Sequence, residues 1–297
     1  MSGFGHGLKT ASLNVAFSPK MPAMTSTRMP VFFISHGGGP WPFIDGVRQS
    51  YAMTERELRA LPNRLPARPK AVLMISAHWE ADAFTVATSE RPPMLYDYRG
   101  FPEHTYSIQY PAPGSPALAA RVAALLAGIG VGVKQDAQRG FDHGTFIPLG
   151  LMFPAADVPV LMLSMHSNYD PAEHIRVGQA LAPLRDEGVL IVGSGLTYHN
   201  MRGLNRDDST AVAEAFESYL NQAIGASDAR VRNDKLVHWQ DAPAARLAHP
   251  QEDHLIPLMV AVGAAGDDVG RRLFVDHVMK VAMATYEFGG KQSTAPV

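Results

Sequence analysis

Short apolar segments alternate with helix-like segments along this sequence, and this order constrains the fold more than any other feature. Four of the apolar segments are rich in β-branched residues and lack helical periodicity, which is typical of buried strands. These predicted strands are residues 31–34, 71–75, 158–163 and 189–192. Strands of this kind are found mainly in parallel sheets that helices cover on both faces.

Helices are predicted between and after these strands. They are residues 116–127, 171–184, 208–224 and 251–265. Ser115 followed by Pro116 is a typical helix start, and the acids Glu252 and Asp253 open the last predicted helix. We therefore predict an α/β fold with a mostly parallel central sheet, helices on both faces and an active site at the carboxyl ends of the strands.

The chain has 297 residues, 46% of them apolar, which is enough for one large core. No repeat or linker divides it, so we expect a single domain at residues 29–297 after a flexible tail at residues 1–28. The net charge is −2 without any basic run, which argues against nucleic acid as a partner. No apolar run approaches the roughly 20 residues that cross a membrane. The chain lacks cysteine, so we expect a cytoplasmic protein, and a homo-oligomer is compatible with the sequence.

Histidines follow all four predicted strands within a few residues. They are His36, His78, His166 and His199, and each comes after a small polar residue near the strand end. Because the carboxyl ends of parallel strands meet at one edge of a sheet, these imidazoles are expected to converge on one crevice. Since the chain has no cysteine, such a cluster predicts a metal site with nitrogen ligands.

Two further histidines lie in segments whose neighbouring residues are expected to fix the position of the imidazole. His143 stands between Asp142 and Gly144, and we expect it in a loop, where Asp142 either orients it or caps the turn. His254 follows two acids at the predicted start of the last helix. Residues 91–116, rich in Pro, Gly and Tyr, predict a long ordered loop whose tyrosines either line a substrate pocket or pack the loop itself.

Six motifs that contain these residues occur in order along the chain. They are Ser35-His36-Gly37, Ser76-Ala77-His78-Trp79, Tyr110-Pro111-Ala112-Pro113-Gly114-Ser115-Pro116, Gly140-Phe141-Asp142-His143-Gly144, Tyr198-His199-Asn200 and Asp253-His254-Leu255-Ile256-Pro257-Leu258. Together they resemble the class III extradiol ring-cleaving dioxygenases, in the branch typified by DOPA extradiol dioxygenase. The resemblance runs from about Met29 to near the C-terminus, so residues 29–297 would form the catalytic domain.

The resemblance implies a role for each motif histidine. His36, His78 and His254 would be the metal ligands, and His199 would be either a fourth ligand or the general base. His143 would face the oxygen or substrate side of the pocket. Gly38 and Tyr110 are expected to contact substrate. Glu252 is a further candidate ligand, because in the wider superfamily the third protein ligand is often a glutamate.

The same resemblance implies the reaction. A non-haem Fe(II) enzyme of this kind inserts O2 into a small aromatic diol and gives a ring-opened semialdehyde, and Zn(II) can replace the iron in a purified sample. Two alternatives stay open. A zinc hydrolase would use similar histidines, although no HxH, HxD or HExxH pattern is present at them. A non-catalytic metal-binding relative would keep the fold without the reaction.

Overall fold

Ten strands account for the β-structure of the described part of the chain, and six of them form one central sheet. In chain order they are β1 (Val31–Ser35), β2 (Ala71–Ser76), β3 (Glu80–Ala81), β4 (Thr85–Ala87), β5 (Lys134–Asp136), β6 (Val160–Met162), β7 (Met165–His166), β8 (Val189–Gly195), β9 (Gly270–Val278) and β10 (Val281–Phe288). The spatial order β6-β2-β8-β1 is parallel, and β10 and β9 extend the sheet in antiparallel fashion. The parallel part thus consists of the four strands that the sequence predicts.

The computed structural model describes residues 1–3 and 28–290. Residues 4–27 of the predicted flexible tail lie outside this part of the chain. The described helices are α1 (Val47–Ser50), α2 (Ala52–Ala60), α3 (Pro116–Ala127), α4 (His143–Met152), α5 (Pro171–Leu181), α6 (Ser209–Ile224), α7 (Ala229–Val237), α8 (Ala245–Ala248) and α9 (Ile256–Ala265). Among the described residues, no helix combines the length and the apolar character needed to cross a bilayer.

Helices cover both faces of the sheet, and β8 shows how they are divided between the faces. The side chain of Ser194 points to α4, where its hydroxyl donates to the carbonyl oxygen of Gly144 at 2.5 Å. Gly193, on the opposite face, lies so close to α9 that a Cβ would overlap the carbonyl oxygen of Pro257. Successive residues of a strand point to opposite faces, so α4 and α9 lie on opposite sides of the same strand.

The start of α9 corrects one sequence prediction. The helix predicted at residues 251–265 begins only at Ile256, and Pro257 occupies its first turn. The chain forms turns at positions 252 and 253, so the two acids there lie before the helix. Every residue of α9 is buried, and Gly178 of α5 and Gly263 of α9 bring the two helix backbones into direct contact. This packing fixes the position of the segment that leads into α9.

Candidate metal centre and substrate cavity

Three histidine side chains meet, with the Nε2 atom of one facing the Nε2 atoms of the other two. His36 follows β1, His78 follows β2, and His254 lies two residues before α9. The Nε2 of His78 lies 3.1 Å from the Nε2 of His36 and 3.3 Å from the Nε2 of His254. The carboxyl ends of two parallel strands and the N-terminal end of α9 thus bring together three residues that are distant in sequence.

The other ring nitrogen of each of these histidines has an oxygen partner. The Nδ1 of His36 lies 3.0 Å from the Ser194 hydroxyl, which already donates to a carbonyl and therefore accepts from His36. The Nδ1 of His254 donates to Asp253 at 2.7 Å. With the proton on Nδ1, a neutral imidazole presents a lone pair at Nε2.

His78 follows the same pattern with a second carboxylate. Its Nδ1 lies 3.3 Å from an oxygen of Asp97. Burial lowers the pKa of His78 to about 4, and it also lowers the pKa of His36 and of His254 well below the ordinary value. All three imidazoles are therefore neutral near pH 7, which is the form that binds metal ions.

The lone pair of His78 lies 3.1 Å from that of His36 and 3.3 Å from that of His254, and these lone pairs repel one another unless a cation lies between them. Metal–nitrogen bonds of about 2.0–2.1 Å place neighbouring ligand nitrogens about 3.0–3.4 Å apart. Carboxylate or hydroxyl partners at the far ring nitrogen are the usual support of a metal-bound histidine. The residues present therefore fit a metal ion with three histidine ligands.

His143 lies beside this triad, at the N-terminus of α4. Its Nδ1 lies 2.9 Å from each oxygen of Asp97, and its ring centre is 3.9 Å from that of His78. Burial raises the pKa of Asp97, but the hydrogen bonds and charge of His143 outweigh this and lower the pKa to about 2. Asp97 therefore carries its negative charge near pH 7 and supports both histidines.

His199 lies on the other side of the triad. Its ring stacks on that of His254 with centres 3.4 Å apart, and its Nδ1 lies 3.6 Å from Asp253. Burial raises the pKa of Asp253, but its contacts with His199 and His254 lower it below the ordinary range. The backbone nitrogen of His199 donates to Ala248 at 2.9 Å, which fixes the loop after β8. One carboxylate thus supports two histidines here as well.

A cavity of about 410 Å³ opens above these five histidines. Its other lining residues are Gly37, Gly38, Gly39, Val47, Tyr51, Tyr98, Arg99, Phe101, Leu196, Tyr198, Met201, Leu204, Met279 and Met283. Gly37 and Gly39 have positive φ values of 78° and 58°, and a Cβ on either would overlap an aromatic ring. The consecutive glycines therefore let the backbone turn closely around the cavity floor, with Gly38 on its surface.

Tyr110 does not line this cavity, contrary to the expectation that it contacts substrate. Its hydroxyl donates to the carbonyl oxygen of Phe153, just after the C-terminal end of α4. The histidine cluster lies at the opposite end of that helix, about 15 Å away for ten residues of α-helix. Tyr110 is instead a buried packing residue of the long loop.

Glu252 and His166 also lie outside the centre. Glu252 forms an ion pair with Arg246 at 2.7 Å, and Asp253 is the acid that reaches the histidines. His166 contacts Glu173 at 3.1 Å, because the chain after β6 turns away to form β7 beside β3. The prediction that four strand-end histidines converge is thus wrong for His166, and the structure does not place Glu252 as a ligand.

Asp142 proves to be a capping residue, one of its two predicted roles. It accepts from the backbone nitrogen of Thr145 at 3.0 Å and begins α4, so His143 belongs to a helix and not to a loop. The residue that orients His143 is Asp97, which sequence reasoning missed. Asp97 lies 46 positions from His143 in an irregular segment, so no local pattern links the two.

Comparison with known proteins identifies relatives over most of the chain. The profile of the LigB family, described as the catalytic LigB subunit of aromatic ring-opening dioxygenase, matches residues 23–287. A protein of Beta vulgaris named 4,5-DOPA dioxygenase extradiol is 44% identical over 240 residues, which cover 80% of this chain and 87% of that protein. A protein of Escherichia coli K12 with the same name is 38% identical over 244 residues, or 81% and 87% of the two chains.

Two further similarities extend over a larger share of the chain. Dioxygenase tasH of Hapsidospora irregularis is 38% identical over 284 residues, which cover 89% of this chain and 88% of that protein. The crystal structure of the uncharacterized protein JW3007 from Escherichia coli K12 superposes with a TM-score of 0.73 at 32% identity. The superposition covers 88% of this chain and all of that one, so the two proteins share one α/β domain.

Proposed function

Because the chain belongs to the LigB family and is an aromatic ring-opening dioxygenase, we propose that it is a non-haem Fe(II) enzyme that opens a catechol-type ring. In this proposal O2 is inserted beside the vicinal diol, and the product is a ring-opened semialdehyde. The observation that carries the proposal is the set of three clustered imidazoles in which the Nε2 of His78 lies 3.1 Å from that of His36 and 3.3 Å from that of His254.

His36, His78 and His254 would hold the iron through Nε2. Three protein ligands leave part of the coordination sphere open, as a catalytic site needs and a closed structural site does not. Bound Fe(II) would supply a common site for the diol and O2, with electrons passing from the ring to the oxygen. Zn(II) suits the same three imidazoles, so zinc in a purified sample would not contradict the proposal.

His199 is proposed as the general base. Its Nδ1 faces Asp253, which leaves Nε2 free to take a proton from a phenol of the substrate in the cavity. The negative charge of Asp253 would stabilise the imidazolium that results. The stacking on His254 keeps the ring of His199 beside the centre, so the alternative role as a fourth ligand stays open to experiment.

His143 is proposed to act on the opposite side of the cavity. Asp97 holds its Nδ1, so Nε2 is the atom that is free to meet the oxygen or the substrate. When Nε2 carries a proton it can donate to negative charge that develops on oxygen, with Asp97 balancing the imidazolium. The two carboxylate-supported histidines would thus flank the bound substrate, one accepting a proton and the other donating one.

The zinc hydrolase alternative lacks a supporting observation. Two-metal hydrolases use acidic bridging ligands, and none of the described residues that line the cavity is a carboxylate. The lining is instead apolar, aromatic and methionine-rich beyond the histidines, which suits a flat aromatic ring.

Anaerobic reconstitution with Fe(II), followed by oxygen uptake and absorbance scans with a panel of catechols, tests the proposal. We expect one O2 consumed per substrate and a new visible absorption band from the semialdehyde. His78→Ala should abolish both signals, whereas His238→Ala, at an exposed surface position, should retain them. Iron-loaded protein that shows neither oxygen uptake nor the new absorption band with any catechol of a broad panel would contradict the proposal.

A further inference from the structure

The cavity over the metal centre contains one residue with a permanent charge. Among the described residues that line it, Arg99 is the only arginine or lysine, and no aspartate or glutamate is present. The acids nearest to the site, Asp97 and Asp253, are bound to the histidines and do not line the cavity. A ligand in the cavity therefore meets a fixed positive charge and no carboxylate among the lining residues.

The guanidinium of Arg99 has no ion pair or side-chain hydrogen bond within the part of the chain that the structure describes. Arg139, in contrast, already forms an ion pair with Asp142 at 2.6 Å and donates to the carbonyl oxygen of His78 at 3.0 Å. An arginine at a cavity wall without such a partner is available to bind a ligand carboxylate.

The backbone that carries Arg99 is held firmly on both sides. The ring of Tyr98 is buried and lies 5.9 Å from that of His143, and its hydroxyl donates to Thr105 at 2.6 Å. Gly100 has a φ of 77°, which turns the chain so that Phe101 packs on Gly39. Arg99 itself is exposed, so it lies toward the mouth of the cavity, away from the buried histidines.

The lining suggests how a substrate would lie. A diol at the three histidines would have its ring among apolar lining residues such as Met201, Leu204 and Met279, and a ring substituent would then extend toward the exposed Arg99. An anion at the end of that substituent would meet Arg99. An ammonium group there would be close to a like charge and would find no acid among the lining residues.

We propose that Arg99 is a specificity-determining residue that selects catechols whose ring substituent ends in a carboxylate or another anion. This inference rests on the proposed function, since it places the diol at the metal centre. Arg99 contacts the substituent in both the bound substrate and the transition state, so its effect falls on KM more than on kcat.

The test compares 3-(3,4-dihydroxyphenyl)propionate with its methyl ester, which has the same diol without the charge, and with dopamine, which ends in an ammonium. We expect kcat/KM for the propionate to exceed that for the ester by about tenfold, equivalent to about 1.4 kcal/mol. Dopamine should be the poorest substrate of the three. The preference should weaken at high ionic strength, because salt screens a charge near the surface.

Two variants and one control assign the preference to Arg99. Arg99→Gln should reduce the propionate-to-ester ratio to about one, whereas Arg99→Lys should retain part of it. The matched control is Arg91→Gln, since Arg91 is another exposed arginine of the same loop and lies outside this cavity. The control should keep the wild-type ratio.

A binding measurement separates this inference from the proposed function. Calorimetry with 3-(3,4-dimethoxyphenyl)propionate and its methyl ester uses ligands without a free diol, so it does not depend on turnover. Tighter binding of the acid that is lost in Arg99→Gln would support the anion subsite even if no catechol were opened. Turnover of catechols with an unchanged ratio in Arg99→Gln, or equal binding of acid and ester to the wild type, would overturn the inference.

Discussion

The backbone of Gly195 lies directly against the carbonyl oxygen of His254, so closely that a Cβ on Gly195 would overlap it. The two segments are joined there by a hydrogen bond from Leu196 to His254 at 3.0 Å. The carbonyl of Gly195 also accepts from the backbone nitrogen of His36 at 3.2 Å. One glycine at the end of β8 therefore holds the backbones of His36 and His254 close to each other.

Gly195→Ala is therefore expected to damage the metal centre more than the fold. The added methyl group must displace the segment before α9, and we expect metal affinity to fall about 10- to 100-fold, as for loss of an outer-shell partner. Titration calorimetry with Zn(II), alongside a thermal melt, measures both effects. Gly132→Ala, at a position where a Cβ meets nothing within 4 Å, is the control. Wild-type affinity in Gly195→Ala would contradict the geometry.

Asp253 and Glu252 are neighbours with different partners, and their amide variants should differ accordingly. Asp253→Asn removes the charged acceptor of the His254 Nδ1 proton and should lower metal affinity about 10- to 100-fold. Glu252→Gln only weakens an exposed ion pair with Arg246, so metal affinity should stay at the wild-type value. Titration calorimetry with Zn(II) on both variants tests this difference. An equal loss of metal affinity in both would restore Glu252 as a candidate ligand.

His199→Ala separates the two roles proposed for this histidine. If His199 is the base, kcat should fall about 100- to 10,000-fold, the usual contribution of a positioned proton acceptor, while the bound iron stays near one per chain. The measurement is kcat for the best catechol together with iron content on the same preparation. An equal loss of iron and of turnover would make His199 a ligand.

The stability of the protein is expected to fall in mild acid through His174. This side chain is fully buried, and its Nδ1 lies 2.7 Å from the carbonyl oxygen of Asp170. Burial lowers the pKa of His174 to about 4 from 6.5. Below pH 6.5 the imidazole of His174 becomes protonated in the unfolded chain, whereas in the folded chain it stays neutral until the pH approaches 4. The contribution of His174 to the free energy of unfolding is therefore complete above pH 6.5 and is lost as the pH falls toward 4.

The free energy of unfolding of the wild type and of His174→Gln, measured by urea denaturation at pH 7 and pH 4.5, checks this effect. The lowered pKa of His174 corresponds to a loss on the order of 3 kcal/mol in the free energy of unfolding between pH 6.5 and pH 4. The wild type should therefore lose more stability between the two pH values than the variant does. Equal losses would show that His174 does not carry this acid sensitivity.

The sequence predicted those elements whose signals are local. Ser115 and Pro116 mark the start of α3, and the structure confirms its predicted bounds, with the Ser115 side chain accepting from Leu118. In contrast, α4 was missed because all but one of its residues are buried and Pro148 lies inside it, so it shows no amphipathic period. The β9–β10 hairpin was not predicted either, and it supplies the antiparallel edge of the sheet.

The clustering of site residues was predictable where a histidine lies next to a strand end, as for His36 and His78. The prediction failed where tertiary structure decides the outcome. His166 has the same local context, but the chain turns away after β6 and leaves it beside Glu173. Asp97 orients His143 from a loop without periodicity, and only the folded chain brings the two together.

The central claim is that the Nε2 atoms of His36, His78 and His254 hold one iron, and an anaerobic Fe(II) titration of wild type, His78→Ala and His238→Ala tests it most directly. We expect one Fe(II) per chain in the wild type and in the surface control. In His78→Ala the affinity should fall by at least about 100-fold, the upper end of what loss of an outer-shell partner costs. Undiminished one-to-one binding in His78→Ala would contradict the claim, because it would place the metal elsewhere.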